Sequence, residues 1–345
     1  MKNTRLGEYA AVKTAASRFN LVMPAFDLPL SELKVYQGSS PRPSDLDEYW
    51  NTVQRELDAL DPQVKRVPNL TLKVDHVECF DLWFVGLGGA KIYAKYVRPK
   101  ATVGRAPGPA VVRFHGYSAA SADWSELIGY ASSGVAIAAM DCRGQGGRSE
   151  DVGGVAGTTL RGHIIRGLED PDPTKLMFRS IFADTALMAR IVMGFDEVDA
   201  TRVGSAGGSQ GGALALACAA LEPRIKRVAS VFPFLCDYRR IWEMDLAKQA
   251  FEELSYFLRW FDPRHERVEE IFTKLGYIDI QNLTPRIKGE VLMFTGLMDQ
   301  VCPPSSQFAA YNKIPGKKEM VLYPDYGHEA LPGEKDRVFN FLAEL

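Results

Sequence analysis

Two kinds of hydrophobic pattern divide the chain. In its first third apolar and polar residues alternate, through Thr71 to Phe80 (TLKVDHVECF) and again through Lys91 to Pro99 (KIYAKYVRP). A period of two predicts half-buried strands, and the glycines at 86, 88 and 89 between the runs predict a turn, so these are expected as antiparallel edge strands. From Pro109 onward the pattern becomes short continuous apolar runs separated by helical spacing. The runs are Ala110 to Phe114, Val135 to Asp141, Val203 to Ala206, Arg227 to Phe232, Glu290 to Gly296 and Glu319 to Pro324. Helices are expected from about Asp123 to Ser132, from Phe178 to Met193, and from Gln210 onward. Strands alternating with helices imply right-handed crossovers and a mostly parallel central sheet flanked by helices, an α/β fold.

Two stretches depart from this alternation. Residues 23–43 are punctuated by Pro24, Pro29, Pro41 and Pro43, which reads as an extended arm lying along the body. Ser44 with Asp47 then predicts a capping box, opening a helix with Trp50, Val53, Leu57 and Leu60 on one face. Residues 234–287 contain no strand, only a helical, aromatic-rich stretch with Trp242, Phe251, Tyr256, Phe257, Trp260 and Phe261. An insertion leaving the carboxyl ends of the strands is placed over the ligand-binding edge of such a sheet, as a cap or a subunit contact. Its individual aromatics equally fit an ordinary core. Residues 1–22 form a leader of unknown role, with the pattern of a weak helix. Without repeats or low-complexity linkers, residues 23–345 are expected to form a single domain.

Composition narrows the function classes. The 345 residues carry a net charge of -2, so no electrostatic footprint for nucleic acid or an anionic membrane is present. Apolar content of 46% and charged content of 24% are those of a globular protein, and no apolar segment is long enough to span a bilayer. The five cysteines are scattered and sit mostly in apolar segments, which predicts buried free thiols in a reducing compartment, without zinc or disulfide spacing. Glu8, Lys13 and Arg18 interrupt the start of the chain, against a secretory signal.

The chemistry is concentrated at Gly207-Gly208-Ser209-Gln210-Gly211. Strand before and helix after give G-x-S-x-G the context of a nucleophile elbow, where a strained turn lifts the serine hydroxyl clear of the sheet. Such a serine needs a base and an orienting acid later in the chain. Of five histidines only His265 and His328 follow it. His265 lies in the charged segment Pro263 to Arg267, read as a solvated helical face, whereas His328 follows the last strand, where the base belongs. Asp299, in the turn after the preceding strand, is the expected acid. Asp325 competes, but three residues from His328 it is better placed to shape the local turn. The oxyanion donors are expected to be the backbone N–H groups of Gln210 and of Tyr117, the latter in the loop after Ala110 to Phe114. His115 is read as structural; Arg143 and Gln145 could bind substrate, but Arg143 reads better as bracing loops around the elbow through backbone carbonyls. No histidine or carboxylate cluster has metal-ligand spacing, so neither metal nor cofactor is expected.

In order, Arg143-Gly144-Gln145, Gly207-Gly208-Ser209-Gln210-Gly211 and His328-Glu329 resemble carbohydrate esterase family seven, the acetyl xylan esterase and cephalosporin-C deacetylase family of α/β-hydrolases. Met23 to Asp27, Leu28-Pro29-Leu30, Arg166-Gly167, Pro233 to Cys236, Gly296 to Asp299 and Cys302-Pro303-Pro304 look similar as well, so the resemblance runs from Met23 to the end. It implies an α/β-hydrolase fold and a cofactor-free serine esterase. That enzyme would deacetylate acetylated xylo-oligosaccharides and cephalosporin C in the cytoplasm, as a ring-shaped homohexamer. It also implies Ser209, Asp299 and His328 as the triad and Tyr117 and Gln210 as the oxyanion donors. Residues 1–22 have no counterpart in the family pattern. Two other readings stand beside it: an amide hydrolase on the same scaffold, and a catalytically silent binding protein.

Overall fold

The apolar runs pair into one nine-stranded sheet in a computed structural model that describes residues 26–100, 106–152 and 158–345. The strands are β1 (Lys65–Asn69), β2 (Val77–Val85), β3 (Lys91–Pro99), β4 (Gly108–Phe114), β5 (Ala136–Met140), β6 (Val198–Gly208), β7 (Arg227–Val231), β8 (Glu290–Gly296) and β9 (Lys318–Tyr323). Their spatial order is β1-β2-β3-β5-β4-β6-β7-β8-β9. The first three strands join antiparallel to one another and to β5, and every pair from β5 to β9 is parallel. The expected α/β-hydrolase architecture is therefore present.

Helices follow in chain order: α1 (Leu30–Leu33), α2 (Leu46–Ala59), α3 (Trp124–Ser132), α4 (Met177–Met193), α5 (Gln210–Leu221), α6 (Tyr238–Glu243), α7 (Glu252–Phe261), α8 (Val268–Leu275), α9 (Ile280–Leu283), α10 (Pro304–Asn312) and α11 (Glu334–Ala343). Strand residues alternate between the two faces. Ala110, Val112, Ala136, Val203, Val228 and Met293 join the larger core under α2, α4 and α5. Val111, Ile137, Ala206, Ala229 and Phe294 join the smaller one under α3 and α11. Every residue of α5 is buried, which is why this helix is apolar all round with no polar face in its sequence.

Several local expectations need correction. Residues 71–76 are not strand; the Asn69 side chain accepts from Thr71 N–H at 3.0 Å and turns the chain, while Leu72 and Val74 pack from a loop. The strand instead continues through Asp81-Leu82-Trp83-Phe84-Val85, whose partners are Lys91 to Lys95. The polar segment KRVPN supplies an unexpected strand, β1, and it is this one that forms the edge, where Pro68 costs no ladder bond. β2 and β3 are interior strands. The Ser44 capping box is not made: α2 opens after Asp45 without a side-chain cap, because Asp47 is held by Arg42 at 2.7 Å and by Arg286 at 3.3 Å. His265 is in a turn between α7 and α8 with φ 55°, not on a helix, and it meets the Trp242 ring edge-on at 5.3 Å.

From Phe26 onward the arm lies against the body but is not extended throughout, because Leu30–Leu33 close into α1 and bury Leu33; residues 1–25, and with them the leader and Pro24, lie outside the described residues. Asp27 accepts from Ser305 N–H at 2.7 Å and from Arg240 at 3.0 Å. Tyr36 donates to Asp237 at 2.8 Å, and the Ser40 N–H donates to the same carboxylate at 2.8 Å. Between β7 and β8 the chain is helical throughout its defined elements, α6 to α9. Among the described residues no helix is long and apolar enough to cross a membrane.

Candidate active site

The elbow is built by sterics. Ser209 has φ 56° and ψ -121°, between the end of β6 and the start of α5. A Cβ on Gly207 would stand 2.3 Å from the Gly211 backbone, and one on Gly211 would stand 2.2 Å from the Phe114 carbonyl oxygen, so α5 can approach β4 and β6 only with glycine at both positions. The strain at Ser209 is held by Ser209 N–H donating to Val231 O at 2.9 Å and Phe234 N–H donating to Ser209 O at 3.1 Å.

Two loops at the carboxyl edge complete the arrangement. Ser209 Oγ lies 3.0 Å from His328 Nε2, and His328 Nδ1 lies 2.8 Å from Asp299 Oδ2. Asp299 is fully buried. Its Oδ1 accepts from Val301 N–H at 2.9 Å and Cys302 N–H at 2.8 Å, which leaves Oδ2 to the imidazole. With the ring proton on Nδ1, donated to Asp299, Nε2 is free to accept the serine proton. Phe232 packs on the His328 ring at 4.4 Å. Asp325 is exposed in the turn after β9, away from this chain of contacts.

This geometry is matched by whole-chain similarity. A family model described as Acetyl xylan esterase (AXE1) covers residues 23–345. The chain belongs to the acetyl xylan esterase family. It is a carboxylic ester hydrolase of acetyl esterase type. The solved acetyl xylan esterase 1 from Thermoanaerobacterium sp. JW/SL YS485 is 55% identical, superposes with a TM-score of 0.88, and aligns over 92% of this chain and 99% of its own. An acetyl xylan esterase from Paenibacillus sp. R4 is 35% identical with a TM-score of 0.85, over 92% and 99% of the two chains. Acetyl esterase Axe7A of Xylanibacter ruminicola is 28% identical over 167 residues, 48% of this chain; the match spans only 36% of that protein's length.

Around the esterase elbow, the Arg143-Gly144-Gln145 motif acts differently from its expected role. Arg143 does not chiefly brace carbonyls: it forms a buried bidentate pair with Asp184 on α4, at 2.7 and 2.6 Å, and adds one carbonyl, Leu87 O, at 3.0 Å. Gln145 is the loop brace. Its Oε1 accepts from Ser118 N–H at 3.0 Å, and its amide pairs with the Gln210 amide at 2.7 and 3.1 Å. His115 is structural as expected, with Nδ1 against Gly116 O at 2.8 Å and Nε2 accepting from Cys142 N–H at 2.9 Å. Gln210 is fully buried, and its N–H is the first of α5, where no intrahelical acceptor exists. Tyr117 sits on the loop after β4 with its ring 5.4 Å from Phe234.

Two further residues meet Asp299: Gln307, which had no signal in the sequence beyond proximity, and Cys302, from the Cys302-Pro303-Pro304 stretch. Gln307 on α10 donates to Cys302 O at 2.5 Å and to Asp299 Oδ2 at 3.5 Å. Cys302 is buried within reach of the Ser209 hydroxyl, and burial pushes its thiol well above the usual range, keeping it neutral. All five cysteines are buried and free. Asp299, Cys302 and His328 bring one potential ligand atom each within 4.8 Å of the others, a grouping that chain spacing concealed because two loops supply it. In the hydrogen-bond network, however, the Asp299 carboxylate is committed to the imidazole. A cavity of about 740 Å³ opens at Ser209 and Gly116. It runs past Phe232 between α3 and α11, with Arg113, Tyr130, Glu334 and Phe339 on its walls.

Proposed function

We propose that the chain is a serine esterase that removes acetyl groups from small acetylated substrates, acetylated xylo-oligosaccharides and cephalosporin C, through an acetyl-serine intermediate. The observation that carries this is the unbroken contact chain from Ser209 Oγ through His328 to the buried Asp299 carboxylate. Ser209 attacks the acetyl carbonyl while His328 takes its proton. The Gln210 and Tyr117 N–H groups receive the oxyanion, and the imidazolium returns the proton to the leaving alcohol. Water activated by the same imidazole then releases acetate. The alcohol leaves on the open side of the site, beside His328 Nε2, which returns the proton to it.

No cofactor enters this scheme. Residues 23–345 are read as one catalytic domain in which 234–287 is an insertion. Ring hexamers in the cytoplasm accompany the reading: five buried free thiols suit a reducing compartment, and α7 leaves Tyr256, Trp260 and Phe261 exposed for a neighbouring subunit. A solution mass of six chains by light scattering tests the assembly.

The test of the activity is acetate release from acetylated xylo-oligosaccharides, from cephalosporin C and from a longer-chain acyl ester, with Ser209→Ala as control. Release from both acetyl substrates, discrimination against the longer acyl chain by roughly 10-fold or more per methylene, and abolition in the variant are expected. Undiminished release by Ser209→Ala, or none from any acetyl ester by the wild type, would refute the proposal.

A further inference from the structure

Glu253 is a carboxylate with no evident reason to be where it is. It is the second residue of α7, in the helical insertion, and only 7% of it is exposed. Burial pushes its carboxyl above the usual range, so the site opposes the charge that hydrogen bonds then stabilise. Its partners all belong to the loops around the esterase centre. Oε1 accepts a short hydrogen bond from the Tyr117 hydroxyl, and Oε2 accepts from Ile164 N–H at 3.0 Å and Ile165 N–H at 3.3 Å. The same Tyr117 oxygen accepts from His163 N–H at 3.1 Å. Phe234 at 5.4 Å and the edge of His163 at 5.9 Å hold the ring between them.

One residue further along, Ser118 N–H is held by Gln145, which is itself paired with Gln210. The Tyr117 segment is therefore gripped at two points, by its side-chain tip from the insertion and by its backbone from the Arg143-Gly144-Gln145 loop. Preorganised donors act through fixed position, and a shift of about 1 Å in such a group costs on the order of 10²-fold in rate.

We propose that Glu253 is a positioning residue for ester hydrolysis, aiming the Tyr117 backbone N–H at the developing oxyanion through the tyrosine hydroxyl. The insertion is thereby part of the catalytic apparatus and not only a cover or a subunit contact. The inference rests on the reading of Tyr117 as an oxyanion donor.

Glu253→Met and Tyr117→Phe test it, since both leave the Tyr117 backbone amide in place and remove one end of the contact, the acceptor in the first and the donor in the second. Each is expected to lower kcat for an acetyl ester by about 10- to 100-fold while KM changes less than about 3-fold, because the contact acts on the transition state. Affinity for a small alkylboronic acid, which forms a tetrahedral adduct on the serine, should fall in the same proportion. The double variant should be no worse than either single one. An unchanged kcat beside a lowered melting temperature would make Glu253 a structural tie only and overturn the inference, as would a rise in KM alone. Failure of the esterase reading itself is distinguishable: it would show as activity persisting in Ser209→Ala, or as its absence in the wild type.

Discussion

Replacing Arg143 by methionine probes the buried ion pair that anchors the loop between β5 and α4. Arg143 and Asp184 are each only 1% exposed and meet in two hydrogen bonds of 2.6 and 2.7 Å. Arg143→Met keeps most of the side-chain volume but strands the Asp184 carboxylate in an apolar surround. Removing one partner of such a pair costs about 3–5 kcal/mol. Burial already raises the Asp184 carboxyl, and Arg143 is the group that pulls it down, so its loss sends the carboxyl higher still. An acid whose folded pKa is raised above its unfolded value contributes stability at low pH and loses it as pH rises through the folded value. The variant should therefore be closest to wild type near pH 5 and fall furthest behind near pH 8. Urea unfolding at both pH values measures this, and Arg143→Met/Asp184→Leu should recover most of the loss. A deficit below about 1 kcal/mol, or one equal at the two pH values, would refute the electrostatic account of this pair.

Two further outcomes are expected. Asp299→Asn keeps the shape of the loop but turns an amide toward His328 Nδ1, favouring the wrong tautomer; kcat for an acetyl ester should drop by about 10⁴-fold, and a loss of less than tenfold would move the acid's role elsewhere. His163 is pushed down from 6.5 to about 4 by burial, so its contribution to stability is complete above pH 6.5 and is lost as pH falls toward 4. Between pH 7 and pH 5 that amounts to about 2 kcal/mol, which His163→Phe should remove from the fall in urea-unfolding stability; parallel pH profiles for the two proteins would show that the buried imidazole is not the cause.

What the sequence determined alone is what depends on local pattern. The boundaries of β3 and β8, the long helix α4, the elbow at Ser209 and the strand-free stretch between β7 and β8 were all legible, because period, glycine placement and apolar run length act within a few residues of one another. Chain order along the sheet then pointed to the His328 and Asp299 loops.

Tertiary structure decided whatever depends on partners far apart in the chain. KRVPN carries no strand pattern and becomes β1 only because β2 offers a free edge. The Ser44 capping box yields to Asp47 contacts with Arg42 and the distant Arg286. Gly86 looked like a turn residue, yet a Cβ there would stand 2.2 Å from Asp184 Oδ1, so its smallness also makes room for the Arg143 pair. Glu253 is the clearest case. In sequence it is one acid beside Glu252 at the start of an amphipathic helix, and only the packing of the insertion against the Tyr117 loop buries one of them and leaves the other at the surface. Local chemistry selects the element, but the free energy that assigns a charged side chain its role comes from desolvation and from hydrogen bonds across 136 residues of chain, which no local pattern encodes.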